Sequence, residues 1–136
     1  MDFTRRVVLT ESPEKVAAFF RSDRNRLDKT IDGKTPLMLC LDEGRPEIAR
    51  ILIDLGANIH VTDQDGDTLL MKAARGGFAE VTRRLLSVGA DVNAEDPVDG
   101  LSALDWALLR KHYQVAAILR QAGGRTNFCE YKVDGV

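Results

Sequence analysis

Apolar residues in this 136-residue chain gather in short clusters at helical spacing, and the clusters themselves recur. Ile48, Ile51, Leu52 and Leu55 fall three or four apart, as do Val81, Leu85 and Val88 and then Val115, Ile118 and Leu119. That spacing turns one stripe of each segment toward a core and predicts helices over 46–55 and 78–88, with a third opening at Tyr113. A shorter run rich in Leu and Ala precedes each of them, for instance 69–75. Thr35, Thr68 and Ser102 head these runs with hydroxyls suited to capping a helix, and Pro36 takes a first-turn position where its missing N–H is not needed. Gly44 and Gly76-Gly77 separate the two members of a pair. Gly56, Gly89 and Gly123 end the second member, where glycine adopts a left-handed conformation most cheaply. Asp65-Gly66 and Asp99-Gly100 predict tight turns between extended arms, a hairpin joining successive pairs.

The markers keep a fixed period. Asp32-Gly33-Lys34-Thr35-Pro36-Leu37, Asp65-Gly66-Asp67-Thr68-Leu69-Leu70 and Asp99-Gly100-Leu101-Ser102-Ala103-Leu104 place glycines at 33, 66 and 100, steps of 33 and 34. The glycines that end the second helices, at 56, 89 and 123, keep the same steps. Both markers share one inserted residue, most simply placed in 95–99. A period of this length belongs to stacked arrays, in which each unit buries its apolar side against its neighbour. Gly-x-Thr-Pro-Leu, then Ala-Ala, a glycine, a Val/Leu-rich helix and Gly-Ala-Asp-Val-Asn resemble the ankyrin repeat. Thr35-Pro36-Leu37 and Gly89-Ala90-Asp91-Val92-Asn93-Ala94 carry the resemblance most directly, and it covers about 30–126. The family's usual histidine after Pro-Leu is replaced by Met38, Met71 and Asp105.

The resemblance implies an all-α fold, an ankyrin-repeat solenoid of stacked helix-turn-helix units joined by short hairpin loops. The expected divisions are a degenerate capping repeat over 1–29, repeats over 30–62 and 63–95, a third repeat and C-terminal cap over 96–125, and a tail over 126–136. Ser12, Pro13 and Glu14 suit the start of the cap's second helix, residues 2–10 would supply its first, and 23–29 would be a polar connection. Arg120 stands where earlier units have Ile53 and Leu86, and Lys111 replaces the glycine before the last helix. The tail is expected to be a strap whose Phe128, Tyr131 and Val133 cover the exposed end, with a frayed terminus as the alternative.

Composition narrows the chemistry. A 44% hydrophobic and 29% charged chain belongs with folded domains, and a net charge of −2 supplies no global field for nucleic acid or an anionic membrane. The longest apolar runs are five residues, far below the ~20 that span a bilayer. Only three apolar residues follow Arg6, too few for a secretory signal. Cys40 and Cys129 lie far apart, which suits a reduced, cytoplasmic protein, and Cys40 sits in an apolar run as a small buried hydrophobe. Gly33-Lys34-Thr35 imitates the end of a phosphate-binding loop, but Asp28 holds the place of the required earlier glycine. Asp63, Asp65 and Asp67 alternate like a calcium loop, yet Gly66 comes too early and Ala74 stands where the closing glutamate belongs. His60 and His112 are far apart, and no Cys-x-x-Cys, His-Glu-x-x-His or Gly-x-Ser-x-Gly occurs. No enzyme activity, cofactor or metal site is expected.

Ankyrin proteins use hairpin tips and first, inner helices to bind other proteins, and the resemblance transfers that role to definite positions. The tips are Ile31, Asp32 and Lys34; Gln64, Asp65 and Asp67; Val98, Asp99 and Leu101. The inner-helix positions are Met38, Asp42 and Glu43; Met71 and Arg75; Asp105, Leu109 and Arg110. Asp32, Asp63, Asp65, Asp67, Asp96 and Asp99 make the hairpin edge acidic against Lys29 and Lys34, while Arg45, Arg50, Arg83, Arg84 and Arg120 make the outer side basic. A partner with a basic surface is therefore expected, unless the aspartates serve only to form turns. Trp106, matching Leu39 and Lys72, is expected under the tail, and Tyr113 is expected in the open. The expected role is a non-catalytic, monomeric protein-binding module or scaffold. Its alternatives are an inhibitor or immunity-type protein acting on a toxin or enzyme, and a self-associating structural protein.

Overall fold

Eight α-helices and one 3₁₀ turn carry the described residues, and they fall into four successive hairpins. The computed structural model describes residues 3–127, so the expected strap of Phe128, Tyr131 and Val133 lies outside them, as does Cys129. The pairs are α1 (Phe3–Thr10) with α2 (Pro13–Ser22), α3 (Pro36–Asp42) with α4 (Pro46–Asp54), α5 (Leu69–Gly76) with α6 (Ala79–Ser87), and α7 (Ala103–Leu109) with α8 (Tyr113–Gln121). Helices α1, α3, α5 and α7 pack side by side in one row, and α2, α4, α6 and α8 in a second. The result is an all-α repeat solenoid.

The sequence period becomes a period of burial. Leu37, Leu70 and Leu104 are each at most 2% exposed, as are Ile48, Val81 and Val115 and then Leu52, Leu85 and Leu119. Cys40 shares its slot with Ala73 and Ala107, all fully buried, so a small side chain there lets the helix rows approach. Burial pushes the Cys40 thiol up to about 12, against the weaker pull of Arg45. It is a packing residue and carries no thiolate at neutral pH.

Helices α3, α5 and α7 begin as their hydroxyls predict. Thr35 accepts from Met38 N at 3.3 Å, Thr68 from Met71 N at 3.2 Å, and Ser102 from Asp105 N at 3.3 Å. Asp105 answers by accepting from Ser102 N at 2.9 Å, which completes a capping box. The expected extended arms shrink to single antiparallel bridges, Ile31 with Lys34, Thr62 with Thr68 and Glu95 with Ser102. Aspartate forms the turns between them. Asp63 Oδ1 accepts from Asp65 N and Asp67 N, both at 3.0 Å. Asp96 accepts from Val98 N, Asp99 N and Leu101 N. Its loop holds one residue more than the loop at Asp63, which places the insertion where the spacing put it.

The N-terminal pair is tied down by cations. Arg45 donates to Val8 O at 2.6 Å and Glu11 O at 2.9 Å, and Arg24 donates to Leu55 O at 2.9 Å. The connection expected to be merely polar is a 3₁₀ turn over Arg24–Asp28 that buries Leu27 at 4% exposure. The apolar side of Leu27 outweighs the charges around it.

At the last interhelix turn, Lys111 sits at φ 61, the conformation that Gly44 and Gly77 adopt at φ 72 and 73. A Cβ in this region strains the backbone by about 1–2 kcal/mol. Lys111→Gly is therefore expected to stabilise the fold by about 1 kcal/mol, less the extra freedom glycine gains when unfolded. Urea midpoints of the two chains measure it, and a lower midpoint for the glycine variant contradicts the account.

Candidate functional site

The row of α1, α3, α5 and α7, with the turns at its edge, forms the face on which the predicted contact residues fall. Asp32, Gln64, Asp65, Val98 and Asp99 are exposed on the turns, with Ile31 and Lys34 half-buried beside them. Asp42, Glu43, Leu109 and Arg110 are exposed at the helix ends, and Arg75 is half-buried.

Five predicted contact residues are not on this surface. Met38 and Met71 are 2% and 0% exposed, because the third helical position under each threonine cap points into the stack. Asp105 is fully buried by its capping box and by Asn127 N, which donates to its carboxylate at 3.1 Å. Leu101 is 7% exposed, folded inward where its N–H reaches Asp96 Oδ2. Asp67 is 8% exposed and spent on Arg75 at 2.7 Å.

Between the first two turns lies a polar cleft of about 300 Å³ lined by Lys34, Asp42, Asp63, Gln64, Asp65, Asp67, Lys72 and Arg75. At its base the Lys72 ammonium, 5% exposed, bridges Asp42 Oδ1 at 2.9 Å and Asp63 Oδ2 at 2.8 Å. Lys34 reaches the other Asp42 oxygen at 2.7 Å. Partial burial would raise the Asp42 carboxyl, but hydrogen bonds from Lys34 and Lys72 outweigh it and hold it below its ordinary 3.8. Burial and Lys72 oppose each other in the same way at Asp63, where the N–H groups of Asp67 and Asp65 join in lowering it. For Lys72, burial is outweighed by Asp42 and Asp63, and its value is raised. Neither Lys72 nor Asp63 is among the predicted contact residues. The one signal was a charge at the helix position that Leu39 and Trp106 fill elsewhere.

These pairs also decide what the aspartates do. Asp63, Asp65 and Asp67 bring carboxylate oxygens within 4.8 Å of one another, but Lys72 and Arg75 already neutralise two of the three. Asp96 is buried, and its loop N–H groups overcome desolvation to keep its carboxyl low. Asp32 lies 3.7 Å from Arg5. Among the described residues Asp65 and Asp99 are left as exposed charges without an ion pair at the tips. Three of the five outer arginines are engaged similarly, Arg84 with Asp54, Arg83 with Glu80 and Arg45 with Glu47, and Arg50 and Arg120 stay exposed. The edge is thus less acidic, and the outer side less basic, than the residue counts imply.

Trp106 is half-buried in the inner row, with the Arg75 guanidinium stacked 4.7 Å from its ring centroid. The part of its expected cover beyond Asn127 lies outside the described residues. Tyr113 is 63% exposed, as its position suggested.

The repeated helix pair, capped at Thr35, Thr68 and Ser102 and closed by a left-handed glycine, defines a repeat protein of one class. The family described as "Ankyrin repeats (3 copies)" matches residues 55–128, and "Ankyrin repeat" matches 32–64. The chain belongs to the ankyrin-repeat family. Curated proteins gave no match. Ankyrin repeats generally serve as protein–protein interaction modules and are typically non-catalytic. Among the described residues no helix is long and apolar enough to cross a membrane.

Proposed function

We propose that this chain binds another protein across the face built from the turn tips and α3, α5 and α7, without catalysis. The observation that carries this is the exposure of Asp32, Gln64, Asp65, Val98, Asp99, Glu43, Leu109 and Arg110 on one face over a buried, hydrogen-bonded frame. Fixed backbone under exposed side chains limits the ordering cost of association. Asp65 and Asp99 at the tips favour cationic groups on the partner's facing edge, and pairing through them makes affinity fall with salt. The chain acts as a monomer in the cytoplasm, as a scaffold or an inhibitor of whatever it covers.

Capture from a lysate of the source cells, by the immobilised chain and by an Asp65→Lys, Asp99→Lys, Leu109→Ser variant, tests the proposal. A stoichiometric protein retained by the first and lost from the second is expected. Equal retention by both, with circular dichroism unchanged, removes this face as the site. Light scattering that finds a stable dimer would favour self-association instead.

A further inference from the structure

Charge on the face of α3, α5 and α7 is balanced at α3 and α5 and unbalanced at α7. Lys34 and Lys72 share Asp42, Lys72 also holds Asp63, and Arg75 holds Asp67, at 2.7 to 2.9 Å. Arg110 holds none of these carboxylates. It lines a second cleft of about 220 Å³ with Leu41, Asp42, Lys72, Arg75 and Gly76, and among the described residues the only acid there, Asp42, already serves Lys34 and Lys72. Neither Arg110 nor its exposed neighbour Lys111 pairs with any carboxylate among the described residues.

Apolar surface gathers at the same end. Leu109 is 49% exposed directly before Arg110, and Tyr113 is 63% exposed just after Lys111. The half-buried Trp106 ring lies one turn back along α7 and is bound to the cleft through its stack with Arg75. Tryptophan, tyrosine and arginine are the side chains that most often dominate protein interfaces. An unpaired guanidinium beside apolar surface suits a carboxylate, which it can hold through two parallel N–H bonds in a partly dry setting.

We propose that the α7–α8 end of this face seats an acidic, apolar protein segment, with a partner Asp or Glu on Arg110 and Lys111 and a neighbouring apolar side chain on Leu109 and Trp106. The assignment rests on the binding face proposed above and gives that face a polarity, anion-seeking at the C-terminal end of α7 and cation-seeking at the Asp65 and Asp99 tips. A phosphate chain has the charge for Arg110 but would run against those exposed aspartates, so a protein segment is the better fit.

A random peptide library selected on the immobilised full chain tests it. Enriched peptides are expected to carry Asp or Glu next to Leu, Ile, Phe or Trp. A synthetic copy should lose about tenfold in affinity on Arg110→Glu and on Leu109→Ser, and less than about twofold on Asp65→Lys. Arg110→Ala should fall between, and circular dichroism shows that each variant is folded. Peptides rich in Lys and Arg that respond to Asp65→Lys and ignore Arg110→Glu overturn the polarity while leaving the face a binding surface. Peptides indifferent to all these changes, or no enrichment at all, overturn both. A single-stranded DNA 20-mer that displaces the peptide at equal concentration overturns the assignment to a protein segment.

Discussion

Lys72→Ala is expected to destabilise the fold by about 3–5 kcal/mol, the largest loss for any single charged residue here, because it strands a buried carboxylate. Lys72 and Asp63 are 5% and 8% exposed, so water cannot replace the ammonium freely. The loss follows from an orphaned charge more than from a missing bond. Lys72→Met combined with Asp63→Asn should therefore recover more than half of what Lys72→Met alone loses. The introduced amide keeps an oxygen for the Asp65 and Asp67 N–H groups that now reach Asp63. Denaturant titration of the single and double variants measures the difference, and a double variant as weak as the single one sinks this account.

The same cluster sets a pH window. Asp42 and Asp63 are held below their ordinary 3.8, so their contribution is complete above that value and is lost as pH falls through the lower folded values. Lys72 is raised above 10.5, so its contribution is complete below that value and is lost only as pH rises past the folded one. Between these limits the cluster gives stability independent of pH. Melting temperatures from pH 3 to 7 should fall at the acid end, and the slope should flatten in the Lys72→Met, Asp63→Asn variant.

Gly66→Val is the second large effect. Gly66 has φ +83, and a Cβ there would come 2.5 Å from Pro97 Cδ in the next turn. Left-handed strain of about 1–2 kcal/mol adds to an overpacking penalty of about 1–3 kcal/mol, so a loss near 3 kcal/mol is expected. Gly100 separates the two terms. It has φ +71 in the equivalent turn with no described residue within 4 Å of a Cβ, so Gly100→Val should lose only the strain, about 1–2 kcal/mol. Equal losses at the two positions would show that contact with Pro97 plays no part.

The fold was legible because its rules are local. Thr35, Thr68 and Ser102 predicted three helix starts, Gly56, Gly89 and Gly123 predicted three ends, and their spacing made those helices one unit repeated. Each is satisfied within a few residues of itself, and the same short-range logic placed the extra residue of the Asp96 loop. The site was legible only by position. Met38, Met71 and Leu101 fall at family contact positions, but their orientation depends on which neighbour they pack against, and no single unit contains that neighbour. Asp63, Asp67 and Asp96 read alike as open acids in the sequence. Lys72 and Arg75, each an inner-helix residue, pair with the first two, and loop N–H groups take the third. Lys72 was visible as a charge in an apolar slot, yet its partner Asp42 is thirty residues away at the end of α3, the preceding helix of the same row.

Each helix packs on its pair-mate and on its neighbours in its own row, so each pair leans on the pair before and the pair after it. Disturbance therefore travels through the molecule as through a column of coins. Amide protons of α3 to α6, whose two pairs each have a neighbour on both sides, should exchange slowest, while opening begins at the outermost pairs and moves inward. A partner that grips α7 would steady the column from the end where it is held.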